Sequence, residues 1–219
     1  MINNNFLIRC ISGLVIGLAF VVTIFYLRPL FYILLYLINI AMLMEWYDIT
    51  KSSRSITLLG LVAVPIPLAA VLLMSYVDQS GWLLITYFVL IWTVDTMAMI
   101  GGKALKGPKL APKISPQKTI SGLLTGVISA VILVNFITLI PGYRLPYMFE
   151  LSNIGFSVYV LILGFAAQLS DLSISVVKRH FNIKDSGTLI PGHGGFLDRF
   201  DSLIITAPLV GIYILINTI

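Results

Sequence analysis

Long apolar stretches alternate with short polar ones along almost the whole chain. Seven of these stretches have about the 20 residues that a helix needs to cross the roughly 30 Å hydrocarbon core of a bilayer. They are residues 6–27, 30–49, 56–77, 82–100, 119–140, 154–177 and 203–219. Pro65 and Pro67 predict a kink in the third stretch, and the seventh, which contains Pro208, is the shortest. The pattern predicts an all-α, polytopic integral membrane protein with about seven transmembrane helices.

The composition agrees with this class. The chain is 58% hydrophobic and 11% charged, whereas soluble domains are roughly 25% charged, so a water-soluble fold is excluded. At 219 residues we expect one transmembrane domain, with residues 1–80 as a scaffold and residues 82–203 as its functional core. The net charge of +5 fits basic membrane loops, and no nucleic-acid partner is expected.

The positions of lysine and arginine predict the orientation. With the N-terminus in the cytoplasm, Arg28 and Arg144 lie outside and the other twelve basic residues lie inside. These twelve are Arg9, Lys51, Arg54, Lys103, Lys106, Lys109, Lys113, Lys118, Lys178, Arg179, Lys184 and Arg199. Both long polar loops, 101–118 and 178–202, then share the cytoplasmic face. We expect a multi-pass protein of a bacterial inner membrane whose two polar loops face the cytoplasm.

Two pairs of small residues predict close helix packing. Gly13 and Gly17 are four residues apart in the first apolar stretch, and Gly122 and Gly126 are four apart in the fifth. Such spacing lets two helix backbones approach each other.

The segment 168–202 concentrates the polar chemistry of the chain. It holds four of the nine acidic residues, four of the fourteen basic residues and both histidines. Charged groups next to hydrocarbon are costly, which makes such a concentration a candidate functional site. Asp171 lies about six residues before the predicted end of the sixth helix, and Asp95 about five residues before the end of the fourth.

Two explanations suit these aspartates. A lysine from either loop would neutralise them, or a divalent cation would bind their hard oxygen atoms. Asp198 and Asp201, three residues apart, would share one side of a helical turn, and Asp201 could equally cap the seventh helix. Glu45 and Asp48 are predicted to pair with nearby Lys51 at the membrane interface.

Both loops carry groups that suit a polyphosphate. In the first, Lys118 lies between hydroxyl residues Ser115 and Thr119, and a Ser115–Pro116 turn before a helix N-terminus would form an anion seat. The other lysines of this loop are as well explained by topology or anionic lipid. In the second, glycines surround His193, so that backbone amides are open to a ligand and the histidine suits a ligand or metal contact.

The spacing S-x-x-K-R-x-x-x-x-K-D-x-G-x-x-x-P-G-H-G-G-x-x-D-R-x-D, from Ser175 to Asp201, resembles the signature of phosphatidate cytidylyltransferases, also called CDP-diacylglycerol synthases. Residues 114–119 resemble the family's ISPKKT element, and Asp95-Thr96 resembles its preceding Asp-Thr pair. The chain departs from the family pattern at three positions, which are Gln117, Ser121 and Ser170.

The resemblance implies a magnesium-dependent reaction of CTP with phosphatidate that yields CDP-diacylglycerol and pyrophosphate, often in a homodimer. It implies that Asp171 and Asp198 bind a pair of cations, of which the identity of the second is left open. From their own positions, Asp95 and Asp201 are further candidate ligands. Lys118 and Lys184 join the two aspartates as candidate catalytic residues. The candidate substrate-binding residues are Ser115, Thr119, Lys178, Arg179, His193, Gly194, Gly195 and Arg199.

Three other functions compete with this one. A related CTP-dependent enzyme would act on another lipid phosphate or on a lipid alcohol. An ion-coupled transporter would use Asp95 and Asp171 as an ion path, although the acids gather near one face and no broken helices recur in two halves. A lipid-binding scaffold would leave the aspartates unexplained.

Overall fold

The computed structural model describes residues 17–187 and 194–218, and the chain there forms a helical membrane bundle. The predictions for Arg9, Gly13 and His193 concern positions outside the described residues. The helices are α1 (Gly17–Tyr26), α2 (Arg28–Thr50), α3 (Arg54–Ala63), α4 (Pro65–Val77), α5 (Trp82–Leu105), α6 (Ile120–Ile137), α7 (Asn153–His180), α8 (Leu197–Phe200) and α9 (Leu203–Thr218). A hairpin of β1 (Lys109–Ala111) and β2 (Ser115–Thr119) precedes α6, and a 3₁₀ turn (Tyr147–Phe149) precedes α7.

Within the described residues, five spans are long and apolar enough to cross a bilayer, which confirms the predicted membrane class. They are Arg28–Thr50, Arg54–Val77, Trp82–Leu105, Ile120–Ile137 and Asn153–His180. The first and seventh predicted spans correspond to shorter apolar helices within the described residues, Gly17–Tyr26 and Leu203–Thr218.

The predicted kink lies at the junction of α3 and α4. Pro65 begins α4 directly after Val64, because a proline ring cannot continue the hydrogen-bond ladder of the preceding turn. The side-chain amide of Asn39 in α2 donates to the Val64 carbonyl at 2.9 Å and satisfies a polar group at the junction.

Helices α5 and α7 are the most enclosed spans. Half of the most apolar window of each is buried, against about a third in the other spans. Phe88, Val94, Val160 and Ala167 of these two helices belong to the main apolar core. The helices that carry Asp95 and Asp171 are therefore the two central ones.

Glycines let α6 approach α5 closely, as the Gly122–Gly126 spacing predicts. A Cβ on Gly122 would lie 2.5 Å from the Ala98 carbonyl oxygen, and one on Gly126 would lie 2.6 Å from the Val94 carbonyl oxygen. Both obstacles are backbone atoms, which cannot rotate away. The packing therefore requires glycine at both positions.

Gly126→Ala is accordingly expected to lower the free energy of unfolding by about 1–3 kcal/mol, because the added methyl group overpacks the α5–α6 contact. The melting temperature in detergent measures the effect. Leu124→Ala is the matched control, since Leu124 lies on the same helix and is exposed. An unchanged melting temperature in Gly126→Ala would show that α5 and α6 can separate without cost.

Helices α5 and α7 extend beyond the apolar stretches that predicted them. Asp95 lies ten residues before the end of α5 at Leu105, and Asp171 lies nine residues before the end of α7 at His180. At 1.5 Å per residue they are about 15 and 14 Å from these ends, deeper than predicted. The last turn of α7 stays helical because its basic residues interact favourably with the helix dipole.

The first polar loop is largely a β-hairpin. Its antiparallel strands pair Lys109 with Thr119 and Ala111 with Ser115. The predicted turn at Ser115–Pro116 is wrong, because both residues lie in β2 and the chain turns at residues 112–114. The hairpin runs directly into the N-terminus of α6 and so fixes the position of Lys118.

Candidate functional site

An ion pair between Lys118 and Asp171 joins the hairpin to the central helix α7. Lys118 Nζ lies 2.5 Å from Asp171 Oδ2, and the two side chains are only 19% and 25% exposed. Apart from Asp171, the lysine ammonium has no polar partner among the described residues. The Ser175 hydroxyl donates to Asp171 Oδ1 over a long 3.4 Å. Both charged groups thus keep unused hydrogen-bonding capacity.

A second ion pair joins the end of α7 to α8. Lys178 Nζ donates to Asp198 Oδ1 at 2.5 Å. The other carboxylate oxygen, Oδ2, accepts the backbone N–H of Ser186 at 2.7 Å and that of Gly195 at 3.3 Å. Burial opposes ionisation of Asp198, but the donors Lys178 and Ser186 outweigh it, and the pKa of Asp198 lies below its ordinary value.

Arg179 holds the two polar loops together. Its Nε donates to the Ile114 carbonyl in the hairpin at 3.1 Å, and its Nη1 donates to the Ile183 carbonyl after α7 at 2.8 Å. The contact places both loops at the same end of the bundle. One guanidinium can serve both carbonyls because its donors form a fixed planar fork.

The charge of Asp171 acts on both Asp95 and Asp201. Asp95 receives two long hydrogen bonds, from Gln168 Nε2 at 3.3 Å and from the Ser202 hydroxyl at 3.4 Å. Burial, together with the neighbouring charges of Asp171 and Asp95, raises the pKa of Asp201 well above its ordinary value. Three acidic groups therefore share a confined region where negative charge is only partly compensated.

Ser170 ties this region to α9. Its hydroxyl donates to the Asp201 carbonyl at 2.5 Å and accepts the N–H of Ile205 at 3.1 Å. Asp201 Oδ1 accepts the N–H of the next residue, Ser202, at 2.8 Å. Ser170 thus satisfies backbone groups where α9 begins.

The remaining candidate residues differ in placement. Thr119 is buried and caps α6, accepting the N–H of Gly122 at 3.1 Å. Ser115 is partly buried at the start of β2, and Lys184 and Arg199 are exposed. Gly194 has a positive φ of 83°, which favours glycine. With Gly195 donating to Asp198, part of the glycine segment supports an acid instead of leaving all its amides open to a ligand.

Glu45 is a site residue that the sequence interpretation missed. Asp48 pairs with Lys51 at 3.4 Å as predicted, but Glu45 does not belong to that interfacial group. It is 4% exposed and accepts hydrogen bonds from the Ser186 hydroxyl and from the N–H groups of Phe196 and Leu197. These donors come from residues more than 140 positions later in the chain, so no local pattern reveals the contact.

The acidic groups fit a hard cation that also binds phosphate. Among residues 17–187 and 194–218, no three Asp, Glu, His or Cys side chains form a ready cation cage. Mg²⁺ seldom needs one, because it commonly takes one or two carboxylates and completes its shell with water and substrate phosphates. Asp171 and Asp198 each have one carboxylate oxygen paired with a lysine ammonium group, which phosphates can also bind.

Known proteins resemble this chain over most of its length. Residues 50–217 match the model of the cytidylyltransferase family. The chain is 50% identical over 207 residues to a protein of Rickettsia bellii named phosphatidate cytidylyltransferase, covering 94% of this chain and 90% of the relative. A protein of the same name from Rickettsia felis is 50% identical, with 94% and 91% covered. Another from Rickettsia conorii is 49% identical over 203 residues, with 93% and 88% covered.

Proposed function

The chain belongs to the cytidylyltransferase family, and we propose that it transfers the CMP group of CTP to phosphatidate, giving CDP-diacylglycerol and pyrophosphate. The observation that carries this proposal is the pair of lysine–aspartate contacts, Lys118–Asp171 and Lys178–Asp198, at one end of a membrane bundle. They supply cations for phosphates and carboxylates for metal ions, where a soluble nucleotide and a lipid headgroup could meet.

The chemistry demands charge neutralisation more than proton transfer. The nucleophile is a phosphate oxygen of phosphatidate, which is already anionic and needs no general base. It forms a bond to the α-phosphorus of CTP while the bond from that phosphorus to the bridging oxygen of pyrophosphate breaks. Because both reactants are anions, positioning and electrostatic stabilisation supply most of the rate enhancement, as in phosphoryl transfer generally.

Lys118 and Lys178 are the residues best placed to receive phosphate. The Lys118 ammonium has hydrogen-bonding capacity that Asp171 does not use. When phosphate oxygens take over these two ammonium groups, carboxylate oxygens of Asp171 and Asp198 become available for Mg²⁺. Arg179 keeps the hairpin beside α7 during this exchange.

Magnesium would be held by Asp171 and Asp198, with Asp95 and Asp201 as further candidate ligands. The bound metal would supply Lewis-acid stabilisation of the charge on the transferring and leaving phosphates. Exposed Lys184 and Arg199, together with Ser115, Thr119 and the segment around His193, Gly194 and Gly195, are proposed as nucleotide contacts.

We place this end of the bundle on the cytoplasmic side of a bacterial inner membrane, with the N-terminus also inside. The positive-inside distribution supports that orientation. A homodimer is proposed from the family resemblance. CTP then enters from the cytosol, and phosphatidate enters from the adjacent leaflet.

CTP labelled at two positions tests the reaction directly. Purified protein in mixed micelles with phosphatidate and Mg²⁺ should move label from [α-³²P]CTP into the lipid phase, while label from [γ-³²P]CTP stays in water-soluble pyrophosphate. Asp48→Asn is the matched control and should retain the activity, because Asp48 is an exposed interfacial residue.

The same experiment separates the rival functions. Transfer of the γ-label to a lipid alcohol would identify a lipid kinase, and a higher rate with an ether-linked lipid phosphate would identify a different acceptor. No transfer of either label, combined with cation flux in liposomes without CTP, would support a transporter.

A further inference from the structure

Glu45 of α2 forms a buried anchor for the two ends of the second polar loop. Its Oε1 accepts the N–H of Phe196 at 2.9 Å. Its Oε2 accepts the N–H of Leu197 at 2.9 Å and the hydroxyl of Ser186 at 2.8 Å. One carboxylate thereby joins the segment that follows α7 to the first turn of α8.

The same groups support Asp198. The Ser186 backbone N–H donates to Asp198 Oδ2 at 2.7 Å, while the Ser186 hydroxyl donates to Glu45. Asp198 directly follows Leu197 in the turn of α8 whose N–H group donates to Glu45. The position of the Asp198 carboxylate thus depends on Glu45 through two routes, the Ser186 side chain and the start of α8.

The loop is shaped closely around this carboxylate. A Cβ on Gly187 would lie 2.7 Å from Glu45 Oε1, and one on Gly195 would lie 2.3 Å from Glu45 Oε2. Glycine at these two positions lets the backbone close over the acid. The burial and three donors give Glu45 a fixed orientation, which an interfacial partner of Lys51 would not require.

We infer that Glu45 is a positioning residue for the reaction, acting on Asp198 without touching substrate or metal. The inference rests on the proposed function, because it assigns Glu45 to the support of a residue proposed there as a metal ligand. Loss of a hydrogen-bonding partner behind a ligand typically costs about 10–100-fold in metal affinity or activity. Ser186 stands in that relation to Asp198, and Glu45 acts one step further back by holding the Ser186 hydroxyl and the start of α8.

Glu45→Gln tests the assignment with little change in volume. The amide nitrogen of glutamine cannot accept the N–H or hydroxyl bonds that Oε1 or Oε2 accepts. We expect the amides of Phe196 and Leu197 to exchange with deuterium at least about tenfold faster, because their acceptor is weakened or lost. We also expect kcat to fall and the half-saturating Mg²⁺ concentration to rise, each by about tenfold, the lower end of the loss for a direct partner of a ligand. Asp48→Asn, three residues away on α2, should show wild-type values of all three quantities.

The measurements separate positioning from general destabilisation. Faster exchange confined to residues 186–187 and 194–200, with a raised Mg²⁺ requirement, supports the inference. Exchange that increases throughout the bundle with an unchanged Mg²⁺ requirement overturns it, and so does wild-type turnover in Glu45→Gln. If that variant does not fold, Ser186→Ala removes one of the three donors and should change the same quantities several-fold, whereas wild-type values would overturn the inference.

The proposed function and this inference fail in different ways. An inactive wild-type protein in the dual-label experiment overturns the proposed reaction. An active wild-type protein whose Glu45→Gln variant has normal turnover overturns only the role of Glu45.

Discussion

Asp171→Asn is expected to reduce the transfer of α-label from CTP to phosphatidate by at least about 100–1,000-fold, the loss seen when a preorganised electrostatic contact is removed from a transition state. Asparagine keeps the shape of aspartate but cannot neutralise Lys118 or supply a charged oxygen to a cation. Initial rates at saturating CTP and Mg²⁺ measure the loss. Asp48→Asn removes the same charge from an exposed acid and should keep the wild-type rate.

Lys118 allows the chemical effect to be separated from an effect on stability. Asp171→Asn leaves a largely buried ammonium group without its counter-ion, which should cost about 1–3 kcal/mol of unfolding free energy. Adding Lys118→Gln removes the unpaired charge and should restore much of the melting temperature. Turnover should stay low in the double variant, because both groups act on the reactants. Recovery of turnover with stability would instead mean that the pair is only structural.

The membrane architecture was predictable because hydropathy over about 20 residues is a strong signal. The spacing of Gly122 and Gly126 likewise predicts that α6 approaches another helix closely, although it does not identify that helix as α5. Helix ends were less predictable, because hydropathy shows where apolar sequence stops, whereas a helix can continue into polar sequence beyond that point. The helix α7 continues through Lys178, Arg179 and His180, whose charges suit its C-terminal end.

The candidate acids and bases were identifiable because charge is rare in this chain, yet their pairing was not. From the sequence, any of several loop lysines could have paired with Asp171. The hairpin that brings Lys118 next to Asp171 has strands of only three and five residues. Strands this short leave little periodicity to recognise. Glu45 was harder still, since an acid beside Lys51 suggests a local ion pair while its partners come from a distant loop.

Removal of divalent cations is expected to stop lipid conversion, to below about 1% of the starting rate, while leaving the protein folded. The two aspartates proposed to bind metal already have lysine partners, Lys118 for Asp171 and Lys178 for Asp198. Without metal these ion pairs keep the carboxylates from being buried as unpaired charges. The bundle should therefore behave unlike a small zinc domain, in which a chelator removes the folding energy itself.

EDTA treatment followed by gel filtration, with turnover and melting temperature measured before and after Mg²⁺ is restored, tests both parts. We expect full recovery of turnover and a melting temperature that differs by only a few degrees between the two states. EDTA already saturated with Mg²⁺ is the control for non-specific effects of the chelator. Persistent turnover after chelation would mean that Asp171 and Asp198 pair with lysine and do not bind a metal needed for the reaction. A large fall in the melting temperature without cations would instead show that the cation stabilises the fold. The lysine pairs would then be too weak to hold this end of the bundle together.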